Sequence, residues 1–225
     1  PEEEVMLLDY TFLSTVPEAT LRVPSFSRWL EEQDQGPAYR YLRRLLKLLA
    51  WKGHGERWVL KTPHHLEWFD TLLDVFPDAK IIQTHRDPLQ TTASFCSMVT
   101  HGRGVFSDQV DPLEVGRDWT NKVVRMITRA TEARERHDAS HFLDVSYYDL
   151  MKDPLVQMER IYAFAGQPFD ASTRAGIEAS HESSPQHRYG KHVYKLESFG
   201  LEAEALNARF ATYRERFQIP REDRR

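Results

Sequence analysis

Ala79-Lys80-Ile81-Ile82-Gln83-Thr84-His85-Arg86-Asp87-Pro88 is the stretch on which the fold class turns. Its isoleucine and threonine favour a strand over Ala79 to Thr84, and Asp87-Pro88 supplies a helix cap and a first-turn proline. A helix is predicted from there to about Val99. Upstream, Arg57-Trp58-Val59-Leu60-Lys61 reads as a short buried strand ended by Thr62-Pro63. A helix follows over His65 to Phe76, with Leu66, Phe69, Leu72, Leu73 and Phe76 at helical spacing and Pro77 as its stop. Downstream, His101 to Val110 reads as a mobile loop, Asp111-Pro112 caps a long helix to about Arg136, His141 to Val145 makes a third strand, and Asp153-Pro154 starts a helix that Gly166 ends. Strands separated by helical stretches predict an α/β protein. Its parallel sheet is covered on both faces and takes ligands at the carboxyl ends of its strands.

Nothing in the flanks marks a boundary, so one domain over residues 1–225 is expected. Pro37 to Trp51 carries Tyr39, Leu42, Leu45, Leu46 and Leu49 at helical spacing beside Arg40, Arg43, Arg44 and Lys47. Such a stripe packs on a core or lies on a membrane surface, and core packing is preferred. Ser183 to Gly200 is polar and aromatic without a period, and a last helix covers about Glu202 to Phe217. The 40% hydrophobic and 28% charged residues describe a globular chain, and a net charge of −4 offers no general attraction to nucleic acid. Cys96 is the only cysteine, which rules out an intramolecular disulfide and fits a reducing compartment. With neither a signal-peptide pattern nor a run of about 18 apolar residues, a cytoplasmic location is expected.

Two clusters fall on the expected ligand edge. Lys61-Thr62-Pro63-His64-His65 follows the first strand and His85-Arg86-Asp87-Pro88 the second. Arg86 offers a planar fork of donors beside a helix N-terminus, which suits a phosphate, and Ser94 lies about two turns into that helix with Ser97 on roughly the same face. The same arginine could instead pair with a nearby carboxylate. Lys61 could neutralise charge developing on a leaving or transferring group, and a following histidine could act as general base near neutral pH. His54, His64, His65 and His85 lack the spacing of a zinc site, and neither a GxSxG elbow nor a GxGxxG fingerprint is present. A kinase-like reading would need a Walker lysine and a magnesium carboxylate, and neither is visible.

Taken in order, Trp58-Val59-Leu60-Lys61-Thr62-Pro63-His64-His65-Leu66, Phe76-Pro77-Asp78-Ala79-Lys80-Ile81-Ile82, Thr84-His85-Arg86-Asp87-Pro88, Ser146-Tyr147-Tyr148-Asp149-Leu150 and His187-Arg188-Tyr189-Gly190 resemble the sulfotransferase superfamily, in particular its bacterial branch. Arg22-Val23-Pro24-Ser25-Phe26 and Trp29-Leu30-Glu31-Glu32 resemble it less diagnostically. The resemblance implies a P-loop-NTPase-like three-layer α/β/α fold. It also implies a donor, 3′-phosphoadenosine 5′-phosphosulfate, whose sulfuryl group passes to a hydroxyl acceptor and which leaves as 3′-phosphoadenosine 5′-phosphate, without a metal.

Residue by residue, Arg86 and Ser94 match the family's 3′-phosphate ligands, and Tyr147 matches a tyrosine near the adenine, with Tyr148 replacing the family's glutamate. Arg188, Gly190 and Lys191 resemble a late basic-glycine element over the same phosphate, interrupted by Tyr189. Lys61 corresponds to the lysine at the transferring group. The base is His65 on the bacterial pattern, with His64 as the alternative. The family's glycine-rich phosphosulfate loop has no counterpart in these 225 residues, so the first strand and helix are expected upstream. The loop's absence leaves a second reading, a non-catalytic adenosine-bisphosphate-binding module or incomplete inactive relative. The acceptor class, a lipid, glycolipid or phenolic alcohol, and homo-oligomer formation stay open.

Overall fold

The computed structural model describes residues 3–51, 53, 57–183 and 195–222. The first half contains α1 (Val5–Asp9), α2 (Val16–Thr20), α3 (Pro24–Glu31), α4 (Gly36–Ala50), a 3-10 turn (Pro63–Glu67), α5 (Phe69–Val75), β1 (Ile81–His85), α6 (Pro88–Gly104) and α7 (Pro112–Arg136). The second half contains β2 (Phe142–Ser146), α8 (Tyr147–Lys152), α9 (Pro154–Phe164), α10 (Ala171–Ser183), a 3-10 turn (Leu196–Phe199), α11 (Ala203–Arg209) and α12 (Ala211–Phe217). The chain forms two compact units, one of Pro1–Ala79 with Phe95–His137 and one of Lys80–Ser94 with Asp138–Arg225.

The first unit is helical. Its core gathers Leu8, Leu30, Tyr39, Leu42, Leu46, Phe69, Leu72, Val115, Trp119 and Met126. The stripe predicted on α4 is buried through Tyr39, Leu42 and Leu46, whereas Leu48, Leu49 and Trp51 at its end are exposed. Asp111 caps α7 as its sequence predicts, accepting from the Leu113 amide at 2.9 Å.

The second unit holds the sheet. β1 and β2 run parallel with Ile81 opposite Phe142 and His85 opposite Ser146. Asp87 Oδ1 accepts from the Leu89 amide at 2.9 Å and opens α6, while Ser146 and Asp153 cap α8 and α9. The parallel pairing and the helical connections make the protein α/β, as the strand-helix alternation predicts.

Several elements differ from expectation. Arg57 to Lys61 is neither strand nor buried: it carries no regular structure, and Val59 is 92% exposed. A strand exists through its ladder, and among the described residues the ladder contains only β1 and β2. The helix expected over His65 to Phe76 breaks at Trp68, whose ψ of 31° leaves the helical region, giving a 3-10 turn and then α5. α6 runs past Val99 to Gly104, through part of the stretch read as loop, because Arg103 is buried and donates to the Glu18 carbonyl at 2.8 Å. That tertiary bond outweighs the two glycines of the last turn. The helix expected over Glu202 to Phe217 is interrupted at Phe210, which is fully buried.

Candidate functional site

In the first unit, Thr62 caps the 3-10 turn by accepting from the His64 amide at 3.3 Å, and the His64 and His65 rings stand edge to face at 69°. His64 is 1% exposed and neither ring nitrogen has a hydrogen-bond partner. Burial, followed by the neighbouring His65 and Lys122, pushes its pKa well below the ordinary value, so the ring is neutral. His65 is engaged at both nitrogens: Nδ1 lies 2.7 Å from the Tyr39 hydroxyl and Nε2 2.8 Å from Glu4 Oε1.

One of these contacts has a fixed direction. Burial raises the Glu4 pKa, but the hydrogen bond with His65, the backbone bonds and the charge of His65 outweigh it, so the carboxyl sits below its usual value and is ionised. An ionised carboxylate only accepts, so Nε2–H donates to Glu4. Burial, with Glu4 and Glu67 nearby, pushes the Tyr39 phenol well above its ordinary pKa, so the hydroxyl beside Nδ1 keeps its proton. Glu4 Oε2 also accepts from the Lys61 amide at 2.8 Å, and one carboxylate therefore ties together the two residues singled out for chemistry. The Lys61 side chain is 76% exposed and pairs with Glu3.

The turn is also held from below. Glu67, its last residue, has a side chain 2% exposed among Lys122 at 3.5 Å, Arg125 at 3.1 Å and Arg129 at 3.4 Å, all on α7. Lys122 pairs also with buried Glu18, and Arg125 with Glu31.

In the second unit the sheet register decides the neighbours. With His85 opposite Ser146, the next residues of the two strands, Arg86 and Tyr147, stand side by side at the carboxyl edge, and the guanidinium lies 4.3 Å from the Tyr147 ring centroid. Arg86 makes a bidentate pair with Glu222, Nε to Oε1 at 2.7 Å and Nη2 to Oε2 at 3.1 Å. The hydrogen bond with Glu222 raises the arginine's pKa above its ordinary value, against a smaller opposing effect of burial. The carboxylate alternative anticipated for Arg86 is thus the pairing observed. Ser94 is half-buried on α6. His85 is a core residue, bonded to Tyr213 and Asp144 at 2.9 Å each and stacked on Phe217. Arg188, Gly190 and Lys191 lie outside the described residues.

Spacing gives no sign of Glu3, Glu4, Glu67 or Glu222, the acids that hold these groups. Cys96 is buried, and burial, partly offset by the nearby Thr120 side chain, pushes its thiol up to about 12, which removes it from nucleophilic chemistry. A groove of about 420 Å³ along the end of α6, lined by Thr100, His101, Val105 and Ser107, contains none of the predicted residues. Among the described residues no cluster of three or more His, Cys, Asp or Glu side chains suits a metal ion, and no helix is long and apolar enough to cross a membrane.

A parallel sheet with an arginine at its carboxyl edge, beside a capped helix N-terminus, defines the class as an α/β protein. Comparison with known proteins makes the class specific. Residues 1–171 match the model of the sulfotransferase family, and the chain belongs to that family. The solved sulfotransferase STF9 from Mycobacterium avium superposes with a TM-score of 0.90 at 33% identity over 99% of this chain and 57% of its own. STF1 from Mycobacterium tuberculosis H37Rv superposes with a TM-score of 0.81 at 34% identity over 94% of this chain and 55% of its own. The fold is accordingly the P-loop-like three-layer α/β/α fold of these enzymes. Omega-hydroxy-beta-dihydromenaquinone-9 sulfotransferase Stf3, from Mycobacterium bovis and Mycobacterium tuberculosis, is 31% identical over 111 residues, 48% of this chain and 28% of the relative. The chain thus spans a little over half the length of the solved relatives, and its match covers about a quarter of the curated ones.

Proposed function

We propose that the protein transfers a sulfuryl group from 3′-phosphoadenosine 5′-phosphosulfate to a hydroxyl acceptor, with residues 1–225 forming one sulfotransferase domain. The observation that carries this reading is Arg86 at the sheet edge, whose planar fork already grips a carboxylate in the bidentate manner that suits a phosphate. Arg86 and Ser94 hold the ribose 3′-phosphate, and Tyr147 lies toward the adenine. Arg188, Gly190 and Lys191 complete the hold on the phosphate.

His65 is the base and Lys61 steadies charge on the bridging oxygen. The acceptor oxygen attacks sulfur in line, forming an O–S bond while the bond from sulfur to the 5′-phosphate oxygen breaks. The acceptor's proton passes to His65 and the bonding electron pair leaves on the phosphate. For His65 to accept that proton at Nε2, Glu4 has to give way to the acceptor hydroxyl, and the ring has to enter the step as the neutral tautomer whose single proton sits on Nδ1 and is donated to the Tyr39 oxygen. Lys61 likewise exchanges Glu3 for the donor's oxygen. The burial of His64, which keeps both its nitrogens from an incoming hydroxyl, favours His65 over it.

Stf3 is named for an acceptor that is a hydroxylated prenylquinone, and a lipid alcohol of that kind is the acceptor class proposed. The test is sulfuryl transfer by the intact protein to an ω-hydroxylated prenylquinone and to 4-nitrophenol. His65→Ala is expected to lower turnover by about 10²- to 10⁴-fold, the range of general-base catalysis, while adenosine 3′,5′-bisphosphate still binds. Unchanged turnover removes His65 from the base role, and nucleotide binding without transfer by the wild type makes the protein a binding module.

A further inference from the structure

We infer that Glu222 is a positioning residue for the donor: it locks the Arg86 guanidinium so that the remaining donors of the fork meet the 3′-phosphate. This rests on the reading of Arg86 given above. An arginine has five N–H donors, and Glu222 takes one from Nε and one from Nη2. The other edge is left over, on a side chain 37% exposed. The ring of Tyr147, 4.3 Å from the guanidinium carbon, fixes its plane, and the carboxylate fixes its rotation within that plane.

Glu222 is itself built in and is no casual counter-ion. Its backbone amide donates to Asp87 Oδ2 at 2.7 Å, and its Oε1 accepts from the Tyr148 hydroxyl at 3.1 Å. Asp87 is buried, caps α6 through the Leu89 amide and pairs with Arg214, whose Nη1 donates to the Pro220 carbonyl at 3.0 Å. The segment after α12 is therefore clamped to the start of α6, and it presents its carboxylate at a set place. A carboxylate held at its backbone and its side chain is poorly suited to leaving when an anion arrives, and well suited to holding the arginine ready. An arginine already ordered loses less rotamer freedom on binding its ligand.

The test compares binding of adenosine 3′,5′-bisphosphate and adenosine 5′-monophosphate to the intact protein by calorimetry. The two ligands differ only in the 3′-phosphate. Glu222→Gln is expected to weaken the bisphosphate about tenfold, the scale set by losing one charge-assisted, pre-organising contact, and to leave the monophosphate within about twofold. Tyr148→Phe, which leaves the Glu222–Arg86 pair in place but removes the hydroxyl's bond to Glu222 and the one it accepts from the Asp87 amide at 3.1 Å, is expected to shift the same ratio in the same direction by less. General damage to the fold would weaken both ligands together, and such an outcome for both variants overturns the inference, as does tighter bisphosphate binding by Glu222→Gln, which would make the carboxylate a competitor. Arg86→Ala separates the two levels. If it leaves the ratio unchanged, Arg86 is not the phosphate ligand; if it collapses the ratio while Glu222→Gln does not lower it, only the role of Glu222 fails.

Discussion

Replacing Glu67 by glutamine should destabilise the first unit more than any surface substitution, because among the described residues it removes the one anion that pairs with Arg129 and one of the two that pair with each of Lys122 and Arg125. The Glu67 side chain is 2% exposed and that of Lys122 6%, so the pair is desolvated on both sides. Breaking a buried pair by removing one partner costs about 3–5 kcal/mol when the other charge is stranded. Here Lys122 keeps Glu18 and Arg125 keeps Glu31, while the Arg125 and Arg129 side chains are 23% and 34% exposed and reach water. Partial compensation places the expected loss lower, at about 2–3 kcal/mol. For a chain of this size each kcal/mol moves the melting temperature by about 2–4 °C, so a fall of roughly 4–12 °C is expected. Tryptophan fluorescence is the natural assay, since all five tryptophans belong to the first unit and two lie beside the network, Trp119 near Lys122 and Trp68 near Arg129. A melting temperature within about 1 °C of wild type would show that the cations are satisfied without Glu67 and would refute the reasoning.

Two further outcomes are expected. His64→Phe should keep stability within about 1 kcal/mol of wild type or raise it, because a buried polar ring without partners carries an uncompensated desolvation cost; urea unfolding checks this, and a loss beyond about 3 kcal/mol would reveal a hidden partner for the ring. Asp70 pairs with Arg136 and His137, and its carboxyl is held below the ordinary range chiefly by the Arg136 hydrogen bond. Its contribution is therefore complete above the ordinary aspartate pKa of about 3.9 and disappears as pH falls below that through the lower folded value. Asp70→Asn should cost little at neutral pH, about 1 kcal/mol or less for so exposed a pair, and the gap to wild type should close on acidification below about pH 4; a gap that widens there contradicts the assignment.

Local chemistry was readable from the chain itself. The Asp-Pro dipeptides at Asp87, Asp111 and Asp153 mark helix starts because an aspartate side chain satisfies first-turn amides whatever surrounds it, and all three helices begin where those residues place them. The strand at Ile81 and its parallel partner follow from similarly short-range preferences, and the ordered motifs from Lys61 to Tyr148 carried the family. Ladder pairing is not local, which is why Arg57 to Lys61 has strand composition without being a strand. Nor could spacing divide His64 from His65: adjacent in sequence, one is closed off from water and the other is bonded to Tyr39 and Glu4, 26 and 61 residues away. The acids at the site behave likewise. Glu222 reaches Arg86 across 136 residues because the segment after α12 returns to Asp87 at the sheet edge, and only the folded chain brings those charges within hydrogen-bond range.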